Sequence, residues 1–319
     1  MCSLTLLTVF SGTVLAQKIE IVKPATYRPS VMTVSPALKE TIDAAVAEVL
    51  SSQQGFKNEE IAVTVIDLSD ANKFHWAEHR GEAAIYPASV VKIFFMAALE
   101  RQLEDKKVTM TPELERGLKD MIVDSSNEAT QYILDVLTNT ASGAEMPQKE
   151  FDAWQYKRNR VNRWFSSMGY TNINVNQKTF CEDAYGIEQQ SRAYKGQNRN
   201  MITTNATARL MAEIVTGNLN TPERTARMMN LMKRDPFAAK DPNSQATDFT
   251  GKLLIDRKMT DARLWSKAGW TSRARHDVAY IETGDGLKFV IAIYTENHAN
   301  KKEVIPAVVG KVIEGLRSR

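Results

Sequence analysis

Residues 87–99 read Pro87-Ala88-Ser89-Val90-Val91-Lys92-Ile93-Phe94-Phe95-Met96-Ala97-Ala98-Leu99. From Val90 to Leu99 every residue but Lys92 is apolar. At helical spacing such a run presents apolar side chains on all sides, which predicts a helix buried in the core. An ammonium buried there costs on the order of several kcal/mol unless it is paired. Ser89 lies three residues earlier, on the same helical face. A desolvated lysine has a lowered pKa and can accept a proton from a neighbouring hydroxyl, which makes Ser89 and Lys92 a candidate nucleophile and base. For this pair taken alone, a helix-capping serine followed by a lysine that reaches solvent is the competing account.

Two further stretches have a comparable character. Asp124-Ser125-Ser126-Asn127-Glu128 precedes a helical pattern from Ala129 to Leu137. Ser125 and Glu128 have the spacing of a capping box; alternatively Ser125 is a second hydroxyl that relays a proton, and Asn127 an amide that holds a substrate. Trp265-Ser266-Lys267-Ala268-Gly269-Trp270 reads as a late strand. A lysine followed by a small residue and glycine lets a substrate backbone lie along a strand edge while the ammonium attracts a carboxylate. A solvent-facing lysine before a bend fits the same residues.

Around these motifs the chain divides by periodicity. Leu38, Ile42, Ala45, Val46 and Val49 form one stripe of a helix between Pro36 and Leu50. Ile61 to Leu68 and Lys73 to His79 read as strands, residues 88–140 as several helices, and residues 141–200 as irregular with a helical island from Phe151 to Met168. Helical spacing returns from Asn205 to Met232. Strands follow at Leu264–Lys267, Asp277–Glu282 and Leu287–Tyr294, and Ile305 to Leu316 closes as an amphipathic helix. Strands at both chain ends with helices between them predict an α+β fold. Both ends share one antiparallel sheet, flanked by helices, and a central helical subdomain leaves a cleft against it. The sheet subdomain spans about 36–85 and 255–319, and the helical subdomain about 86–254.

Composition narrows the function. With 41 basic and 38 acidic residues the net charge is +3 and the charges are interleaved, which argues against a nucleic-acid partner. Two cysteines in 319 residues exclude a disulfide scaffold and a cysteine-based zinc site. Residues 1–16 carry no charged side chain, and Val14-Leu15-Ala16 places small residues at the positions of a cut before Gln17. This predicts a secretory signal over 1–16, an extended leader over 17–35, and export to the periplasm or the extracellular space. No other segment reaches the roughly 18 apolar residues of a membrane span. A monomer without stable membrane insertion is the expectation, with Cys181 an unpaired thiol in the mature chain.

Taken in order, Ser89-Val90-Val91-Lys92, Ser125-Ser126-Asn127 and Lys267-Ala268-Gly269 resemble the serine β-lactamase and penicillin-binding-protein superfamily. They are most similar to class A β-lactamases, whose signature is S-x-x-K, S-D-N and K-T-G. The resemblance runs over roughly residues 36–319. It implies hydrolysis of a cyclic amide through an acyl-Ser89 intermediate, with no metal or organic cofactor. The implied roles are Lys92 as base, Ser125 as proton relay to the leaving nitrogen, Lys267 as support for that step and for a substrate carboxylate, and Asn127 as holder of a side-chain amide. Backbone N–H groups of Ser89 and Trp270 would form the oxyanion hole, with Ala268 and Gly269 lining the same strand edge. The substrate would be a β-lactam or a cell-wall peptide. A D-alanyl-D-alanine peptidase, penicillin-binding protein or esterase of the same fold is the alternative.

Three positions depart from the pattern. Ser126 replaces the aspartate of S-D-N. Ala268 replaces the threonine of K-T-G, for which Arg273 or Arg275 could compensate by binding a carboxylate. The third departure concerns deacylation, which class A enzymes carry out with a glutamate in an E-x-x-x-N loop. The corresponding stretch here, 176–204, is longer. Glu182 is the candidate base and Glu188 the alternative, but Gly186 stands where the asparagine belongs. The arginine–aspartate brace of that loop has no counterpart, with Phe180 near one expected position and Asn200 or Met201 near the other. Finally, His75-Trp76-Ala77-Glu78-His79 fits the zinc-peptidase pattern H-x-x-E-H, which requires a helix, although the segment reads as a strand.

Overall fold

Ser35 starts the first helix: its side chain accepts the Leu38 N–H at 3.2 Å, Pro36 fills the first turn, and the chain stays helical to Ser52. The stripe Leu38, Ile42, Ala45, Val46 and Val49 is buried, as its spacing predicts. The computed structural model describes residues 20–71 and 73–318. In chain order its elements are β1 (Met32–Val34), α1 (Pro36–Ser52), β2 (Ile61–Asp67), β3 (Phe74–His79), α2 (Lys92–Glu104), α3 (Pro112–Lys119), α4 (Asn127–Thr138), α5 (Gln148–Arg158), α6 (Arg160–Ser167), α7 (Ile187–Ala193), α8 (Thr204–Val215), α9 (Pro222–Met232), β4 (Lys233–Arg234), α10 (Thr250–Asp256), β5 (Arg263–Trp270), β6 (Ala274–Glu282), β7 (Lys288–Glu296) and α11 (Val304–Arg317).

The strands form one sheet in the order β1-β3-β2-β7-β6-β5-β4. The early and late parts of the chain meet at the β2–β7 pair, antiparallel from Ile61 opposite Thr295 to Asp67 opposite Phe289. The fold is thus α+β, with both ends in one sheet. It differs from a purely antiparallel sheet at one edge, where β1 runs parallel to β3. One face packs on α1, α10 and α11 through Leu38, Ile42, Ile293, Val309 and Ile313. The other face packs on the helices between β3 and β4 around Phe94, Phe95, Leu134, Trp164 and Met211.

The segment predicted as a leader is part of the body. Tyr27 is buried, and its hydroxyl donates to Glu213 Oε1 at 2.7 Å; Glu20 pairs with Arg163, and residues 32–34 form β1. Single apolar residues between two prolines have no periodicity, so this docking has no signature in the sequence. The proposed signal, residues 1–16, and the first three residues of the 17–35 stretch lie outside the described residues. Among the described residues no helix is long and apolar enough to cross a membrane.

Candidate active site

The nucleophile candidate sits at a sharp turn. Ala88, just before Ser89, has φ 47°, a left-handed conformation that costs a residue with a Cβ roughly 1–2 kcal/mol. A single 3₁₀ turn, Ala88–Val91, then runs directly into α2. The carbonyl of Tyr86, upstream of the turn, is held at 3.0 Å by His276 Nε2 from β6. Ser89 Oγ makes no hydrogen bond among the described residues.

Lys92 is fully buried at the start of a helix whose first eight residues are all buried. Its Nζ donates to the Ser125 carbonyl at 2.5 Å, to Asn127 Oδ1 at 2.9 Å and to Ser125 Oγ at 3.3 Å. None of these acceptors is ionised. Burial therefore lowers its pKa to about 7, and the more distant charges of Glu128 and Cys181 offset only part of that effect.

Ser125 reaches the same point from a different element. A π-turn, Asp120–Asp124, ends in Ser125 in the left-handed region, φ 60° and ψ 29°, which turns both its carbonyl and its hydroxyl to Lys92. The capping box read across Ser125 and Glu128 does not form, because the cap lies one residue later and its N3 position is Ala129. Ser126 is the N-cap of α4, accepting the Ala129 N–H at 3.1 Å, and Asn127 is the first helical residue. Capping by Ser126 leaves Ser125 free to face the cleft. It also explains the departure from S-D-N, because serine and aspartate cap a helix about equally well.

Lys267 is fully buried as well. From β5 its Nζ reaches Ser125 Oγ at 2.9 Å, Gln245 Oε1 at 2.5 Å and the Ala268 carbonyl at 2.7 Å. Burial drives its pKa well below the usual lysine range, and the neighbouring Lys92 and Arg234 charges push in the same direction. Ser125 Oγ is thus shared by two desolvated amines. Gly269 is required by packing: a Cβ there would stand 2.8 Å from the Pro87 carbonyl oxygen and 2.9 Å from the nitrogens of Ser89 and Val90. Trp270 follows and is 47% exposed.

The arginines beyond Trp270 separate. Arg273 is on the rim, donating to Asn297 Oδ1 at 2.6 Å, in a cavity of about 420 Å³ also lined by Tyr86, Phe180, Glu182 and Arg199. Arg275 is buried, ion-paired with Asp248 at 2.9 Å, and its guanidinium lies 4.1 Å from the Phe249 ring centre. The side chain of Ala268 is buried in the apolar layer behind the sheet.

The two carboxylates of the loop region occupy opposite environments. Glu182 is exposed at the cavity mouth. Glu188 is 1% exposed and held by Arg158 at 2.7 and 2.8 Å, Lys178 at 3.2 Å and Ser142 Oγ at 2.9 Å. Burial raises its pKa, but these partners outweigh burial and hold it below the usual carboxylate range. Gly186 has φ +55°, and a Cβ there would stand 2.1 Å from the Gly143 carbonyl oxygen, so no asparagine fits at that position. At the expected brace positions amides stand in place of the arginine–aspartate pair, beside the buried Lys178–Glu188 and Lys178–Asp135 ion pairs. Asn200 exchanges two 2.9 Å hydrogen bonds with the Gln177 backbone, and Asn174 and Met201 bond backbone to backbone at 2.6 and 2.9 Å.

The H-x-x-E-H segment is strand β3, which puts His75 and His79 about 13 Å apart along the strand. Among the described residues no group of three or more His, Cys, Asp or Glu could hold a metal ion. Three residues absent from the sequence reading complete the site: Gln245 against Lys267, His276 against Tyr86, and Arg234, which donates to the Ile122 carbonyl at 3.0 Å. Arg234 follows Lys233 at the end of the helical stripe, and none of the three is marked by spacing in the sequence.

Residues 38–313 match the family model described as the β-lactamase enzyme family. No curated protein matches the sequence. Among solved structures, a β-lactamase from Sphaerobacter thermophilus superposes with TM-score 0.61 at 19% identity, covering 88% of this chain and 98% of that one. The structure of PBP-A gives 0.61 at 17%, covering 92% and 100%; the TLA-1 extended-spectrum β-lactamase gives 0.62 at 16%, covering 88% and 98%. At these identities the likeness is one of fold.

Proposed function

The chain belongs to the β-lactamase enzyme family, and from that premise we propose that it is a serine hydrolase that opens a β-lactam amide through an acyl-Ser89 intermediate. The observation that carries this reading is the convergence of Lys92 and Lys267 on Ser125 Oγ, at 3.3 and 2.9 Å. Lys92, neutral in part near pH 7, takes the Ser89 proton as Oγ attacks the carbonyl carbon. The C–N bond then breaks, Ser125 gives its proton to the leaving nitrogen, and Lys92 returns the proton to Ser125.

Two backbone N–H groups suit the oxyanion. Ser89 lies in the first turn of a helix, where N–H groups have no intrahelical partner. The Ala268 N–H turns away from β6 to Gln245, and Trp270, two residues on, turns its N–H the same way in an antiparallel ladder. Gly269 between them brings this edge against the Ser89 turn. Donors fixed in this manner contribute on the order of 3 kcal/mol each to the transition state. Asn127 and Arg273 would hold the substrate amide and carboxylate, and Glu182 would activate the deacylating water. Export of a monomeric enzyme to the periplasm or the outside is part of the same proposal.

A second reading, acylation without efficient turnover as in a penicillin-binding protein or peptidase, is favoured by the loop. Glu188 is sequestered, and Gly186 leaves no room for an asparagine partner to Glu182. Intact mass after mixing with excess penicillin separates the two. A transient adduct with accumulating hydrolysed penicillin supports the first; a lasting adduct replaces it with the second; no adduct at all rejects both.

A further inference from the structure

Gln245 is buried between β4 and α10, in a polar stretch, Asp241 to Asp248, that sequence alone presents as a loop. Its side chain uses all of its hydrogen-bonding capacity. Oε1 accepts from Lys267 Nζ at 2.5 Å and from the Ala268 N–H at 3.2 Å. Nε2 donates to the carbonyls of Val123 at 2.8 Å and Ile122 at 3.2 Å. The Ala268 N–H can only donate and both partners of Nε2 can only accept, so the amide has one permitted orientation. Val123 lies two residues before Ser125, and Arg234 shares the Ile122 carbonyl at 3.0 Å.

One amide therefore ties the strand that carries Lys267 to the turn that carries Ser125, across the 2.9 Å contact between those two residues. It does so with a neutral acceptor. The groups facing Lys267 are Lys92 from α2, Arg234 from β4 and Asp277 from β6, together with the uncharged Ser125, Gln245 and Ala268 carbonyl. A glutamate in place of Gln245 would put a carboxylate on Lys267 and hold it as an ammonium.

We propose that Gln245 is a positioning residue for acyl transfer: it sets the Lys267–Ser125 geometry and, by being uncharged, leaves Lys267 able to exchange a proton with Ser125. The inference rests on the proposed acylation of Ser89. The burial and neighbouring cations that depress the pKa of Lys267 agree with it.

The test is the pH profile of the acylation rate with penicillin, for the parent chain, Gln245→Glu and Gln245→Ala, each checked for a cooperative thermal transition. The Gln245→Glu variant is expected to shift a limb of the profile to higher pH by a unit or more. Gln245→Ala is expected to lose at least tenfold in acylation rate at saturating penicillin. A Gln245→Glu profile superimposable on the parent would overturn the inference. If Gln245→Glu does not fold, Gln245→Ala decides: a rate within threefold of the parent overturns it, and a tenfold loss at unchanged half-saturating penicillin sustains it. A parent chain that penicillin never acylates removes the underlying reading, and the inference with it.

Discussion

Gly269 and Ser89 come so close that a Cβ on the glycine would stand 2.9 Å from the serine nitrogen. The nucleophile turn and the β5 edge are therefore pressed together backbone to backbone, with Pro87 and Val90 on either side. Ala268 tolerates a departure from the family pattern because its side chain points into the apolar layer; the next residue has no such freedom. Gly269→Ala is expected to cost about 1–3 kcal/mol of stability through overpacking. Moving the Ser89 N–H away from the Trp270 N–H should also lower the acylation rate about 100-fold. Thermal melting with stopped-flow acylation checks both effects; a variant with parental acylation would mean that the two edges do not act together.

Lys92 has a pKa near 7 because it is buried among neutral acceptors. As the proposed base it would act when deprotonated. Acylation should therefore fall about tenfold per pH unit below pH 7 and level off above it. Lys92→Arg, which stays protonated, should lose on the order of 1,000-fold or more at every pH and show no such limb. Rates between about pH 5 and 9 test this, and a limb that survives in Lys92→Arg would assign the base elsewhere.

How much of this was readable in the sequence follows the range of each interaction. The Ser89–Lys92 pair, and the buried stripe of α1, are local patterns with a helical period, and the ordered motifs placed Ser125 and Lys267 beside them. Gln245 is 22 residues from Lys267 and 123 from Ile122, and a glutamine in a polar stretch looks like solvated loop until the fold closes over it. The loop brace is similar. Asn174, Asn176 and Asn200 have no periodicity, and their value lies in pairing with backbone groups (Asn174, Asn200) or another amide (Asn176) that only the tertiary structure brings near. Tyr27 was hidden for the same reason, since its partner Glu213 is 186 residues away.

The two loop glutamates predict opposite phenotypes. Glu188→Gln leaves Arg158 and Lys178 buried with one fewer anion, which should cost roughly 3 kcal/mol or more. Glu182→Gln touches an exposed side chain and should leave the melting temperature unchanged. If Glu182 activates the deacylating water, that variant lengthens the life of the penicillin adduct at least tenfold without slowing its formation. An adduct lifetime equal to the parent's would remove Glu182 from the mechanism and leave the loop without a base.

Side by side on β6, His276 and Asp277 titrate with opposite consequences for stability. His276 is buried and neutral: its Nδ1 accepts the Thr295 N–H at 3.1 Å, which places the ring proton on Nε2, toward the Tyr86 carbonyl. Burial lowers its pKa to about 4, outweighing the backbone hydrogen bonds that raise it. The unfolded chain binds this proton first, so its contribution is present above about pH 6.5 and is lost as pH falls to about 4. Asp277 behaves in reverse. Burial pushes it up to about 6, against the opposing pull of Thr250, Lys267 and Arg234. The folded chain binds that proton first, so its contribution is present below about pH 3.8 and is lost as pH rises through about 6. Each amounts to roughly 3 kcal/mol at most, so the two nearly cancel across the acidic range. His276→Gln should therefore gain stability, relative to the parent, between pH 6.5 and 4, and Asp277→Asn should lose it. Denaturant unfolding of the three proteins at both ends of that window measures the slopes. Two variants sloping the same way would show that burial on β6 does not shift these two groups in opposite directions.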